Sequence, residues 1–153
     1  MRIVAKTDIG LKRTSNEDSY AAGELPGSVA WAVVCDGMGG ATGGNIASST
    51  AVKLISERIS SGYHKGMTSN SIRNILISAI TAANISVFDA SRENPELTGM
   101  GTTVVAAILV DGVACIALIV ICSRPNGKVE TISLGFLGSC CNCINATDTA
   151  LSD

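Results

Sequence analysis

Two short β-type runs, IVAKT at residues 3–7 and AWAVVC at 30–35, each lead into a cluster of turn-forming and acidic residues. The spacing of apolar positions then changes. Beyond Gly43-Gly44-Asn45, the residues Ala47, Ala51, Leu54, Ile55 and Ile59 recur at helical intervals, predicting an amphipathic helix with Asn45 available as its cap and an end near Gly62. A second stripe, Ile72, Ile75, Leu76, Ala79, Ile80, Ala83 and Val87, predicts a helix capped by Asn70 or Ser71. It should stop before Asn94-Pro95, because the residue preceding a proline avoids helical backbone.

Residues 102–121, TTVVAAILVDGVACIALIVI, have nearly the length of a membrane-spanning helix. Asp111-Gly112 at their middle argues otherwise. A carboxylate at the bilayer centre costs about 2.5–3.5 kcal/mol, whereas Asp-Gly between β-branched runs is a favoured hairpin turn. The segment therefore predicts two buried strands. KVETISL, 128–134, is strand-like, and from about residue 135 the chain turns small and polar with no sustained period, so no folded element is expected there. Strands, two helices and strands again predict an α+β fold with helices packed on antiparallel sheet.

A chain of 153 residues, 46% of them hydrophobic, suits one domain with an ordinary core. Its net charge of -2, from eleven basic and thirteen acidic residues, supplies no field that would recruit nucleic acid or an anionic membrane, and neither is expected as a partner. The opening MRIVAKTDIG carries Asp8 and no uninterrupted apolar segment, which does not match a secretory signal; a cytoplasmic location is expected. In that setting Cys35, Cys115 and Cys122, set in or near apolar runs, are small buried residues. Cys140 and Cys143 form a Cys-x-x-Cys, but with His64 as the single histidine the chain is poorly supplied for a closed four-ligand zinc site.

Two constellations carry candidate chemistry. In the first, Arg13-Thr-Ser-Asn16-Glu17-Asp18, two carboxylates and a guanidinium crowd six positions of a chain that is only 16% charged. In the second, CDGMGGATGG at 35–44, Asp36 ends an apolar strand and glycines that admit close backbone approach follow it. No Gly-Lys-Ser/Thr follows, which excludes a P-loop, and Thr42 breaks the dinucleotide-binding glycine pattern. Hard divalent ions take carboxylate, carbonyl and water oxygens, so Glu17, Asp18, Asp36 and the Gly37 carbonyl together make a half-site for Mg²⁺ or Mn²⁺. Arg13 could grip a phosphate bidentately. Plainer roles stay open: a solvated acidic pair at Glu17 and Asp18, a surface ion-pair partner in Arg13, a helix-side cap in Asp36.

Taken in order, Arg13-Thr-Ser-Asn16-Glu17-Asp18, Asp36-Gly37-Met38-Gly39-Gly40 and Gly101-Thr102-Thr103 resemble the PPM (protein phosphatase 2C) family in its bacterial form, and TDIG at 7–10 fits the same opening strand. The resemblance covers residues 1 to about 117. It implies a sandwich of two antiparallel sheets flanked by helices, and metal-dependent hydrolysis of phosphoserine and phosphothreonine in phosphorylated proteins, the substrates of a serine/threonine kinase. By the same resemblance Asp36 bridges two Mn²⁺ or Mg²⁺ ions, the Gly37 carbonyl binds one, Glu17 and Asp18 hold ions or their waters, and Arg13 binds the substrate phosphate. Asp36 and Asp18 are then the catalytic carboxylates. Where some members carry a histidine, proposed as general acid, this chain has Met38, which donates no proton. Thr102 and Thr103 are expected to serve strand structure.

The family pattern breaks after ACIALIV. Gly-Asp-Ser-Arg is expected next, and Ile121-Cys122-Ser123-Arg124 stands instead; two further metal-binding aspartates, in Ser-Asp-Gly and Asp-Asn contexts, do not appear before Asp153. Two dications 4 Å apart repel by about 16 kcal/mol at an effective dielectric of about 20, and three carboxylates bring three negative charges against four positive. The second ion is therefore doubtful. The expectation is a partial PPM domain over 1–121, a divergent and poorly ordered tail over 122–153, and a truncated or frame-disrupted enzyme of impaired activity. The alternative is a non-catalytic pseudophosphatase module that binds phosphoproteins.

Overall fold

The computed structural model describes residues 2–122 and, as strands, 133–137 and 144–146. Strand β1 is Asp18–Leu25 and β2 is Val29–Met38; helices α1, Gly40–Gly62, and α2, Ser69–Glu93, follow. A single 3-10 turn, Pro95–Leu97, leads into β3, Gly101–Val110, then β4, Val113–Cys122, β5, Ser133–Leu137, and β6, Ile144–Ala146. The strands form one antiparallel sheet in the order β1-β2-β3-β4-β5-β6, each paired with its sequence neighbours.

Both helices lie on one face of this sheet. Alternate residues of the strands, Val33 and Cys35 on β2, Val104, Ala106 and Ile108 on β3, and Ala117, Ile119 and Ile121 on β4, are buried with Ile55 and Ile59 of α1 and Leu76, Ile80 and Val87 of α2. Each fully buried aliphatic side chain of this size contributes about 1.5–3 kcal/mol relative to exposure, which is what holds the two layers together. Of the α2 stripe read from the sequence, Ile72, Leu76, Ala79, Ile80, Ala83 and Val87 are buried and Ile75 is partly buried. Among the described residues α2 is also the one helix long and apolar enough to cross a membrane, and its buried stripe against the sheet accounts for that composition.

The hairpin at 102–121 forms as expected. Asp111 (φ 48°) and Gly112 (φ 78°) both take the left-handed backbone of a two-residue turn, which aspartate tolerates and glycine favours. Other expectations change. Residues 3–7 form no strand; the segment lies exposed, with Ala5 O accepting from the Tyr20 hydroxyl at 3.4 Å. A β-prone run becomes a strand only where a partner offers a ladder, and among the described residues none pairs with it. The first strand is instead Asp18–Leu25, so the early acidic residues sit at a strand start.

Both caps also differ. Helix α1 begins at Gly40, with Gly39 at its cap making no side-chain bond, and Asn45 lies inside the helix. Helix α2 is capped by Thr68 rather than Asn70 or Ser71, its hydroxyl accepting from Ser71 N at 3.2 Å. Asp36, read as a possible helix-side cap, is a strand residue. In the tail, β5 begins within the strand-like KVETISL, at Ser133 and Leu134, and runs on to Leu137, while β6 occupies positions expected to hold no folded element. Most of KVETISL, along with Cys140, Cys143, Asp148 and Asp153, lies outside the described residues.

The described strands make one sheet of the expected sandwich, and among the described residues no second sheet covers its other face. Val34 on β2, Val105 on β3, and Leu118 and Val120 on β4 are exposed there, Leu118 and Val34 by about half (53% and 52%).

Candidate active site

The β1–β2 register decides which residues meet. Leu25 pairs with Val29 beside the connecting loop, and counting outward the last pair is Asp18 with Asp36. Side chains directly opposite on an antiparallel pair share a face, so two carboxyl groups are brought side by side at the end of the sheet, on its open face. They share a hydrogen bond. Burial first, then that bond and the negative charge of Asp36, push the Asp18 carboxyl above the usual carboxylate range; Arg13 pulls it down and Glu17 adds to the rise.

The backbone around this pair is fixed from two sides. Asn16 Oδ1 accepts from Asp18 N at 3.0 Å, and Asn16 Nδ2 donates to Thr7 Oγ1 at 2.9 Å, tying the acidic turn to the N-terminal segment. Gly37 N donates to Glu17 O at 3.1 Å, and the buried Ser48 hydroxyl of α1 donates to the same carbonyl at 2.6 Å. This is why glycine stands at 37 and 44. A Cβ on Gly37 would fall on the Gly44 and Glu17 carbonyls, and one on Gly44 would fall on the Glu17 carboxylate. Glu17 is thus folded back against the first turns of α1.

Of the five predicted site residues, the structure brings Asp18 and Asp36 into contact, seats Gly37 beside them in β2, turns Glu17 toward Gly44, and leaves Arg13 exposed but close enough to act on Asp18. Among the described residues no three of His, Cys, Asp or Glu gather in an arrangement that could hold a metal ion. The donor chemistry of the Asp18–Asp36 pair fits a hard divalent cation. The set as it stands is a two-carboxylate site.

A cleft of about 480 Å³ opens onto this pair, lined by Lys6, Thr7, Asp18, Tyr20, Val34 and Asp36 among others. Sequence reasoning missed Lys6 and Thr7 as neighbours of the acids, because the N-terminal segment was expected in a strand. It also missed Ser48, whose only signal was a polar residue inside an otherwise apolar helical stripe. Cys35 and Cys115 are free and buried as expected. Burial pushes the Cys35 thiol up to about 12, against a smaller opposing effect of its hydrogen bond with Thr102, so it is no nucleophile at neutral pH.

Comparison with known proteins meets this geometry. The sequence model of the protein phosphatase 2C family matches residues 12–130. The serine/threonine phosphatase stp of Listeria monocytogenes serotype 4b is 35% identical over 112 residues, 73% of this chain and 44% of that protein. The solved serine/threonine phosphatase of S. agalactiae superposes with a TM-score of 0.67 at 28% identity, over 74% of this chain and 46% of that one. A serine/threonine phosphatase of Staphylococcus aureus gives 0.66 at 30% identity, over 74% and 44%. The chain spans about half the length of these relatives. With the acidic turn, the glycine-rich strand end and the helix-backed sheet all inside the matched region, the chain belongs to the protein phosphatase 2C family.

Proposed function

We propose that the protein is a metal-dependent serine/threonine protein phosphatase of the PPM type, impaired in this chain, whose carboxylate pair Asp18 and Asp36 forms one wall of the phosphoryl-transfer site. The observation that carries this reading is their direct pairing across β1 and β2, with Arg13 acting on the same group. Bound Mn²⁺ or Mg²⁺ would supply an activated water and absorb charge developing on the phosphoryl oxygens. Asp36 and Asp18 would hold the ion, with the Gly37 carbonyl as a further oxygen donor, and Arg13 would orient the phosphate. Glu17 would act from behind, its negative charge raising the pair's appetite for a cation. Phosphorylated proteins are the substrates this reading implies, and the free buried thiols of Cys35 and Cys115 support a reducing, cytoplasmic setting.

Purified protein should hydrolyse a phosphothreonine peptide only with Mn²⁺ or Mg²⁺, and Asp36→Asn should lower the rate by about 10²-fold or more, the scale for removing one group that stabilises transition-state charge. Hydrolysis that persists in chelator would overturn it. A second reading, a non-catalytic phosphoprotein-binding module, is favoured by the gathering of two carboxylates rather than three among the described residues. Phosphopeptide binding in chelator without turnover, lost in Arg13→Ala, would select that reading.

A further inference from the structure

The ladder between β2 and β3 is interrupted at the one position where the candidate site needs accuracy. Val34 pairs with Val105 and Gly37 with Thr102, while Cys35 and Asp36 between them make no ladder pair with β3. Two side-chain hydroxyls reach the Asp36 backbone there. Asp36 N donates to Thr103 Oγ1 at 3.2 Å, and Thr102 Oγ1 donates toward Asp36 O at 3.0 Å, with Thr103 O a second acceptor at 2.9 Å. Thr102 is fully buried.

A strand needs β-branched residues here no more than valine would supply, and valine has the same shape. What threonine adds is the hydroxyl. The Asp36 N–H, which lacks a ladder partner, is held by the Thr103 hydroxyl, and the Asp36 carbonyl receives the Thr102 hydroxyl, so the interruption orphans no backbone group. We propose that Thr102 and Thr103 are positioning residues: the Thr103 hydroxyl replaces the missing ladder bond of the Asp36 N–H, the Thr102 hydroxyl adds a bond to the Asp36 carbonyl, and together they fix the backbone from which the Asp36 carboxylate reaches Asp18. The functional meaning rests on Asp36 as a metal-binding carboxylate; the positioning itself does not.

The test uses Thr102→Val and Thr103→Val, with Thr102→Ser and Thr103→Ser as conservative partners. In metal-free protein, NMR should show the Asp36 amide exchanging about 2- to 10-fold faster in Thr103→Val, the span one hydrogen bond supplies, relative to Val34 and Gly37. The Asp36 α–β proton couplings should move toward rotamer averaging in both valine variants, and serine should restore the wild-type pattern. Mn²⁺ affinity, read from the electron paramagnetic resonance of free Mn²⁺, should weaken by a similar factor and recover with serine. Unchanged Asp36 exchange and couplings in the valine variants would overturn the proposal; should Thr102→Val fail to fold, Thr103→Val, on the open face, decides alone. If wild type takes up no Mn²⁺ while Asp36 responds as described, the metal reading fails and the positioning role stands.

Discussion

Asp18 is a group the fold holds at a cost. Its carboxyl binds a proton more tightly in the folded chain than in the unfolded one, first through burial and then through its bond with Asp36. The stability it contributes is complete below the usual aspartate range near pH 4 and falls away as pH rises through the higher folded value. Asp18→Asn should therefore raise the melting temperature at pH 7 and change it less at pH 4, measured in chelator by thermal unfolding; equal shifts at both pH values would contradict the assignment. Crowding makes a second residue-level claim testable. Gly44→Ala puts a methyl group on the Glu17 carboxylate, and overpacking of this kind costs about 1–3 kcal/mol. Urea denaturation should show the loss, and Glu17→Ala in the same chain should recover part of it.

Helix α2 shows how an element can be legible while its boundary is not. Its buried stripe follows from spacing alone, since Ile72, Leu76, Ala79, Ile80, Ala83 and Val87 recur at the helical period. Its start depended on which of several adjacent small polar residues turned its oxygen inward, and that is a matter of local backbone geometry. Thr68 does so, so Thr68→Ala should destabilise the protein by about 1 kcal/mol in urea melts, while Asn70→Ala should change little. Strand β1 was illegible for a different reason. DSYAAGEL has small residues and Gly23 where a strand ordinarily shows large alternating ones, because the Trp31 indole covers Gly23 from the partner strand. The hairpin β3–β4 was the opposite case: Asp111-Gly112 names its own turn. At the candidate site, the residue types of Asp18, Asp36 and Gly37 pointed to the chemistry, but the backward turn of Glu17 arises from packing against Gly44 and left no trace in spacing.

At the scale of the whole molecule, the sheet buries one face under two helices and leaves apolar side chains on the other: Val34, Val105, Leu118 and Val120. Patches of this kind drive association unless something covers them. The purified chain should bind a hydrophobic dye and sediment as more than a monomer, and Leu118→Lys should reduce both without lowering helix content; a strictly monomeric, dye-silent wild type would refute this. The same face carries the acids. Asp18 and Asp36 lie at its end, so whatever covers the patch also forms the far wall of their cleft.

The loop at residues 26–28 is remote from all of this chemistry, about 24 Å from Asp18 at ~3.4 Å per strand residue, yet it acts as the site's ruler. It sets the count from which every β1–β2 partner follows, down to Asp18 opposite Asp36. One residue gained or lost there would slide the tally, swing one acid to the helix side of the sheet, and blind the site without touching any atom in it.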